Sequence, residues 1–337
     1  MAGSDRAGAG PGQLSVTPAW LALAACLLSA CSFNPPLDLA AIFPGYPPVL
    51  LASVPFYPQR EYQCGPAALA GMLGAAGVAT SPAALVPEVY LPGRQGSLQY
   101  ELLAATRRAG RVPYVIPADP AVLFAQLHSG RPVLVMQNLR TRHFPVWHYA
   151  VLVGFDPGAN EVKLNSGPEQ GLVMAAPAFL RTWDWAGRWA LVALRPGELP
   201  AQAQPTTFIA AVAAFEQVAG GAAAAPAWRS ALRRWPGEPA PYLALGNLAY
   251  ASGKLPVALD YYRRGLHASP GDPALGNNLA SVLGELGCPR TAAALLKPIQ
   301  AGLAASSHWH PPITATLAEL APQAQDGGAW CAALYSG

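Results

Sequence analysis

Apolar residues fall along this chain in blocks whose spacing changes three times. Residues 1–18 are polar, and 19–30, AWLALAACLLSA, form an uninterrupted apolar run. That run is too short to span a bilayer as a helix and has the length of a signal-peptide core. The next stretch, SFNPPLDLAAIFPGYPP, is broken by proline and has no period, so 31–48 is expected to be a tether. From residue 49 the apolar blocks alternate in type. VPFY (54–57) has the composition of a short strand. CGPAALAGMLGAAG predicts a helix that begins at Cys64 and stops at Gly77. GRPVLVMQNL (130–139), WHYAVLVGFD (147–156) and EVKLNSG (161–167) predict three strands. Alternation along the second puts His148 on the side of Ala150, Leu152 and Gly154. Beyond RPGELPAQAQP (195–205), whose prolines and polar residues suggest a linker, the pattern is helical.

That helical half repeats itself. Laying 239–272 over 273–306 aligns Leu245 with Leu279, Gly246 with Ala280, Gly253 with Gly287, Ala258 with Ala292 and Tyr262 with Leu296. A weaker copy begins at 205 and carries Phe215, Ala224, Trp228 and Pro236 at the corresponding places. Gly246 and Ala258 are small where two helices must approach closely, and Tyr262 and Leu296 fill the adjoining gap. Pro236 and Pro270 end the second helix of a unit. The period and the small/large alternation resemble tetratricopeptide repeats. About three are expected over 205–306, with 307–337 as a terminal cap. The resemblance implies a concave surface for a protein partner, with no chemistry of its own.

Composition narrows the class. With 52% hydrophobic and 12% charged residues, the chain can build buried cores. A net charge of +3 without a long basic run excludes an electrostatic footprint for nucleic acid. The cysteines, at 26, 31, 64, 288 and 331, form no C-x-x-C pair, and the histidines do not complete a metal-ligand pattern. No cofactor or metal is expected. Leu28-Ser29-Ala30-Cys31, directly after the apolar run, resembles the lipobox of bacterial lipoproteins. The resemblance implies that 1–30 is removed and that Cys31 carries the lipid anchor. The protein would then be exported and held on the periplasmic side of the cell envelope. Ser32, where an inner-membrane retention signal has Asp, points to the outer membrane. In an oxidising compartment Cys288 and Cys331 are candidates for a disulfide.

Cys64 is the remaining cysteine. At a helix start, unpaired backbone N–H groups and the helix dipole favour its thiolate. A helix-borne cysteine with a strand-borne His148 is the nucleophile and base pair of a papain-like site. His143, in TRHFP, is a competing base in a solvated turn, and His128 belongs to a helix end. Trp147, Trp183, Trp185 and Trp189 are expected in the core or in a pocket wall. The run Q-x-x-x-x-C-G-P-A-A-L, then G-R-P-V, then H-Y-A-V-L-V-G-F-D resembles the bacteriocin-processing, double-glycine cysteine peptidases. More narrowly it is similar to a lipoprotein branch fused to tetratricopeptide repeats. The resemblance covers about 50–198.

It implies an α+β papain-like cysteine peptidase domain over 49–198, followed by an all-α tetratricopeptide-repeat solenoid. It implies Cys64 as nucleophile, His148 as base and a side-chain amide for the oxyanion, which Gln59 supplies with Gln63 as the alternative. Relatives place an Asp on the strand after the histidine. Here Ser166 stands at that position, beside Asn165, which can orient an imidazole as Asn does in papain-like enzymes. The expected function is hydrolysis of a protein or peptide substrate at the cell envelope. Two other readings stay open: a catalytically impaired scaffold acting through its repeats, and a related papain-like amidase or acyltransferase.

Overall fold

The computed structural model describes Gly3 and residues 37–59, 63–322 and 325–331. The apolar run 19–30 and Cys31 lie outside the described residues. The segment read as a tether ends inside the domain. Asp38 caps a short helix, α1 (Leu39–Ile42), by accepting from the N–H groups of Ala40 and Ala41. Leu39 N–H donates to Asn160 Oδ1 at 3.1 Å. The Phe43 ring lies 5.2 Å from Phe155 and 6.3 Å from Phe124. These apolar side chains join the core, which a free tether would leave in water.

In chain order the elements of the first half are β1 (Val49–Leu50), α2 (Cys64–Ala75), α3 (Pro82–Val89), α4 (Gln99–Arg108), β2 (Val112–Val115), α5 (Pro120–His128), β3 (Val133–Asn138), β4 (Trp147–Asp156), β5 (Glu161–Ser166), β6 (Glu169–Ala175), α6 (Ala176–Asp184) and β7 (Ala190–Leu194). Among the described residues the strands form one antiparallel sheet in the order β2-β7-β3-β4-β5-β6, with β1 added on β4. This is the expected α+β domain. VPFY is not a strand. It packs against α2 through Pro55, and a helix offers no ladder to pair with.

β4 is buried from His148 to Phe155, the signature of a central strand covered on both faces. On one face Tyr149, Val151 and Val153 pack with Leu134 and with Leu69, Met72 and Leu73 of α2. On the other face α5 packs on β4, and α6 on the neighbouring β3, β5 and β6. A register shift between Leu152 and Gly154 reverses the alternation, so Phe155 reaches Phe124 of α5, 5.2 Å between rings.

The second half consists of α7 (Pro205–Ala219), α8 (Gly221–Arg234), α9 (Pro239–Ala251), α10 (Leu255–Ala268), α11 (Pro273–Glu285), α12 (Pro289–Ala301) and α13 (His310–Leu320). First helices start at Pro205, Pro239 and Pro273, and second helices at Gly221, Leu255 and Pro289, so the period read from the sequence is the period of the helix hairpins. Successive helices pack on one another, and α13 closes the stack on α11 and α12. A Cβ on Gly246 would meet Tyr262 Cε1 at 2.3 Å, which is why this position is glycine. Cys288 and Cys331 are joined by a disulfide that ties the C-terminal segment to the end of α11.

The residues between the halves are not a loose linker. Ala201 and Gln126 exchange two hydrogen bonds, Nε2 to O at 2.8 Å and N to Oε1 at 3.1 Å. Ser230 Oγ donates to Gly197 O at 2.6 Å, and Phe208 of α7 is fully buried beside Tyr114 of β2. The helical array is thus seated on the edge of the sheet. Gly246→Val is expected to destabilise the array by about 1–3 kcal/mol through overpacking against Tyr262, which a chemical-denaturation midpoint will read; an unchanged midpoint would contradict the contact.

Candidate active site

The buried length of α2 places Cys64. Every residue from Gly65 to Leu73 is buried, so the helix has one seat on the sheet. Three glycines set its depth. A Cβ on Gly65 would meet Ser97 Oγ at 2.3 Å, one on Gly71 the Pro55 carbonyl oxygen at 2.8 Å, and one on Gly74 Pro55 Cγ at 2.8 Å. The chain before the helix and the loop before α4 therefore close directly on α2. Ser97 Oγ is buried and without a hydrogen-bond partner among the described residues.

Cys64 lies in a narrow cleft of ≈ 20 Å³ together with Gln59, Tyr149, Asn165 and Gly167. Gln59 N–H donates to Gly167 O at 3.1 Å, which fixes the strand-like segment beside the thiol. The Gln59 side-chain amide has no hydrogen-bond partner among the described residues. Gln63, the residue before the helix, makes no side-chain capping bond and does not line the cleft.

Burial pushes the Cys64 thiol up from its ordinary range, against a smaller downward pull from the backbone N–H groups of Tyr149, Gly65 and Cys64 itself. The helix start was expected to favour thiolate. Its N–H groups do face the sulfur, and desolvation outweighs them. Burial likewise holds the His148 imidazole below its ordinary value. Both groups are neutral near pH 7 as a result.

His148 is paired in register with Gln137, whose Nε2 donates to Thr182 Oγ1 of α6 at 2.7 Å. Paired residues share a face, so the imidazole begins on the α6 face and α2 packs on the Tyr149 face. The His148 ring contacts Ser166, Nε2 to Oγ at 2.9 Å, which leaves Nδ1 as the nitrogen for other partners. No hydrogen bond links the thiol to the imidazole. Asn165, read from the sequence as the orienting residue, is not on the ring. It is paired with Val151 on the Cys64 side, and its Oδ1 accepts from Gly171 N–H at 3.0 Å. Adjacent strand residues point to opposite faces, so the face that holds His148 holds Ser166. His143 is exposed. Trp183 is fully buried, whereas Trp147, expected in the core or a pocket wall, is 51% exposed.

Residues 51–184 match the Peptidase C39 like family. This stretch is a C39-like peptidase domain. It contains Cys64, His148, Gln59 and both candidate orienting residues, and it stops short of the helical array. The C39-like domain spans less than half of the chain. A Bacillus anthracis protein described as a C39-like peptidase, known from its crystal structure, aligns at 19% identity over 44% of this chain and 98% of its own, with a TM-score of 0.37. No curated protein matches the chain.

A pH profile of Cys64 alkylation tests the electrostatics of the C39-like domain. Thiolate is the reactive form, and a raised thiol pKa means its fraction grows only as pH climbs above the ordinary thiol range. Carbamidomethylation of Cys64, followed by mass spectrometry, is expected to be slow at pH 7 and to rise through pH 9. A plateau already at neutral pH would mean a thiolate–imidazolium pair instead.

Proposed function

We propose that this chain is a cysteine peptidase of the cell envelope, acting on a protein or peptide substrate. The observation that carries the reading is the placement of Cys64 at the start of a buried helix, in a cleft shared with Gln59, within the C39-like domain. The Cys64 thiol, which makes no hydrogen bond to His148 in the resting structure, loses its proton to His148 Nδ1 once substrate is bound, as sulfur adds to the substrate carbonyl. The resulting oxyanion takes hydrogen bonds from the Cys64 backbone N–H and the Gln59 amide. The imidazolium returns its proton to the leaving amine, and the C–N bond breaks to leave a thioester. Water, deprotonated by the same imidazole, then hydrolyses the thioester and frees Cys64.

Ser166 orients the ring. For Nδ1 to accept the thiol proton, Nε2 must carry its own hydrogen and donate it to Ser166 Oγ. A carboxylate only accepts, so it would impose that tautomer and stabilise the imidazolium; a hydroxyl can also donate and imposes neither. This motivates the second reading, a catalytically impaired scaffold that acts through its helical array. Cys64→Ala is expected to abolish turnover of an unstructured fluorogenic protein substrate. Ser166→Asp is expected to raise the turnover of the parent by roughly tenfold or more, a fraction of the ~10²–10⁴ that an acid–base group contributes. A parent chain without turnover and an active Ser166→Asp chain would establish the scaffold reading. Undiminished turnover by Cys64→Ala would remove the peptidase assignment.

The helical array, of tetratricopeptide type by its period, serves substrate or partner recognition. Between α10 and α12, above α11, runs a furrow of ≈ 1360 Å³ lined by Tyr242, Arg263, Arg264, His267, Leu279 and Leu295, among others. The apolar run 19–30, closed by Leu28-Ser29-Ala30-Cys31, supports export and a lipid anchor at Cys31 on the periplasmic side, and Ser32 favours the outer membrane. Metabolic labelling with a fatty-acid analogue is expected to mark the parent chain and to leave Cys31→Ser unmarked. Label that survives the substitution would refute the anchor.

A further inference from the structure

Residues 139–147, LRTRHFPVW, form the tip of the β3–β4 hairpin, and all of them are exposed. Phe144 is 72% exposed, Trp147 51%, Leu139 47% and Val146 46%. Burying such side chains is the ordinary outcome of folding, so their collective exposure calls for a partner.

The tip is held open by bonds that the buried Asn138 makes. Its Oδ1 accepts from Arg140 N–H at 3.2 Å and from Val146 N–H at 3.0 Å, while its Nδ2 donates to Thr141 O at 2.8 Å. Phe144 N–H donates to Thr141 Oγ1 at 3.0 Å, and Leu139 N–H to Val146 O at 2.9 Å. The loop therefore has a fixed shape that displays its apolar side chains, instead of folding them back onto the sheet.

Its charge has one sign. Arg140 and Arg142 lie within the tip and no Asp or Glu does. Neither arginine is in a salt bridge with a described residue. Nor is the tip a wall of the cleft beside Cys64, which takes no residue from 139–147. It is an exposed hairpin tip that carries aromatic and aliphatic side chains together with two arginines. A peptide would need a groove. A flat, yielding surface that is apolar below and anionic above accepts such a tip as it stands, with Trp and Phe in the interfacial layer and arginines among the headgroups.

We propose that the β3–β4 hairpin docks on the surface of an anionic lipid bilayer, bringing the start of β4, and with it His148, close to the headgroups. The contact is independent of the thiol chemistry and separate from a lipid anchor at Cys31.

Tryptophan quenching by vesicles with brominated acyl chains tests it, because bromine quenches only at short range. The full chain and its Trp147→Phe variant are compared on vesicles of phosphatidylcholine with phosphatidylglycerol, and on phosphatidylcholine alone. The other tryptophans are common to both proteins, so the difference reports Trp147. On the anionic vesicles the parent is expected to show quenching that Trp147→Phe lacks. This excess should vanish on the neutral vesicles and in Arg140→Gln/Arg142→Gln. Equal quenching of the parent and Trp147→Phe overturns the proposal, and an excess that persists on neutral lipid overturns the anionic assignment. Equal quenching combined with lost turnover of a soluble peptide by Trp147→Phe would give the hairpin to peptide binding, and also overturns it.

Discussion

The close seating of α2 against the sheet is the constraint on which the first domain depends. A helix whose residues Gly65–Leu73 are all buried cannot slide or rotate without opening voids in a close-packed interior. Gly65, Gly71 and Gly74 let Ser97 and Pro55 approach to distances that any side chain would block. The depth of the helix thus fixes the segment before it, which carries Gln59, and the loop before α4. It also fixes the sulfur of Cys64 against the backbone of β4.

That burial has an electrostatic consequence. A helix N-terminus stabilises an anion, but removal from water penalises it more, and the Cys64 thiol is pushed up while the His148 imidazole is held down. A carboxylate behind the imidazole would counter this by favouring its charged form. The structure has a hydroxyl there, Ser166. The resting site is therefore neutral, and the proposed peptidase chemistry would have to draw its separation of charge between sulfur and imidazole from substrate and oxyanion contacts.

The helical array is held by small residues in the same way. Gly246 admits Tyr262, and Gly276 admits Ile299, whose Cδ1 would lie 2.4 Å from an added Cβ. At the carboxyl end Asp326 accepts from Arg290 N–H at 2.8 Å and takes the Thr291 hydroxyl at 2.8 Å, capping α12 from across the Cys288–Cys331 link. At the other end Phe208 and the Gln126–Ala201 bonds seat α7 on the sheet edge, so the array and the peptidase-family domain meet through a packed contact.

The sequence by itself determined the features that depend on local periodicity. The helix from Cys64, the strands around 133–138, 147–156 and 161–166, and the helix starts spaced from Pro205 to Pro239 to Pro273 all follow from apolar spacing, proline and glycine. Tertiary structure decided whatever depends on which face a residue takes or on how much water it keeps. Asn165 and Ser166 are neighbours of suitable chemistry, and only the pairing of β5 with β4 sends one to the Cys64 cleft and the other to His148. VPFY has strand composition but no ladder, because the neighbouring backbone it meets is a helix. Residues 195–205 have linker composition, yet Gln126 and Ser230, distant in sequence, supply the partners that order them. The direction of the thiol's shift was settled by burial from elements far along the chain, a sum over neighbours that a helix-start motif does not contain.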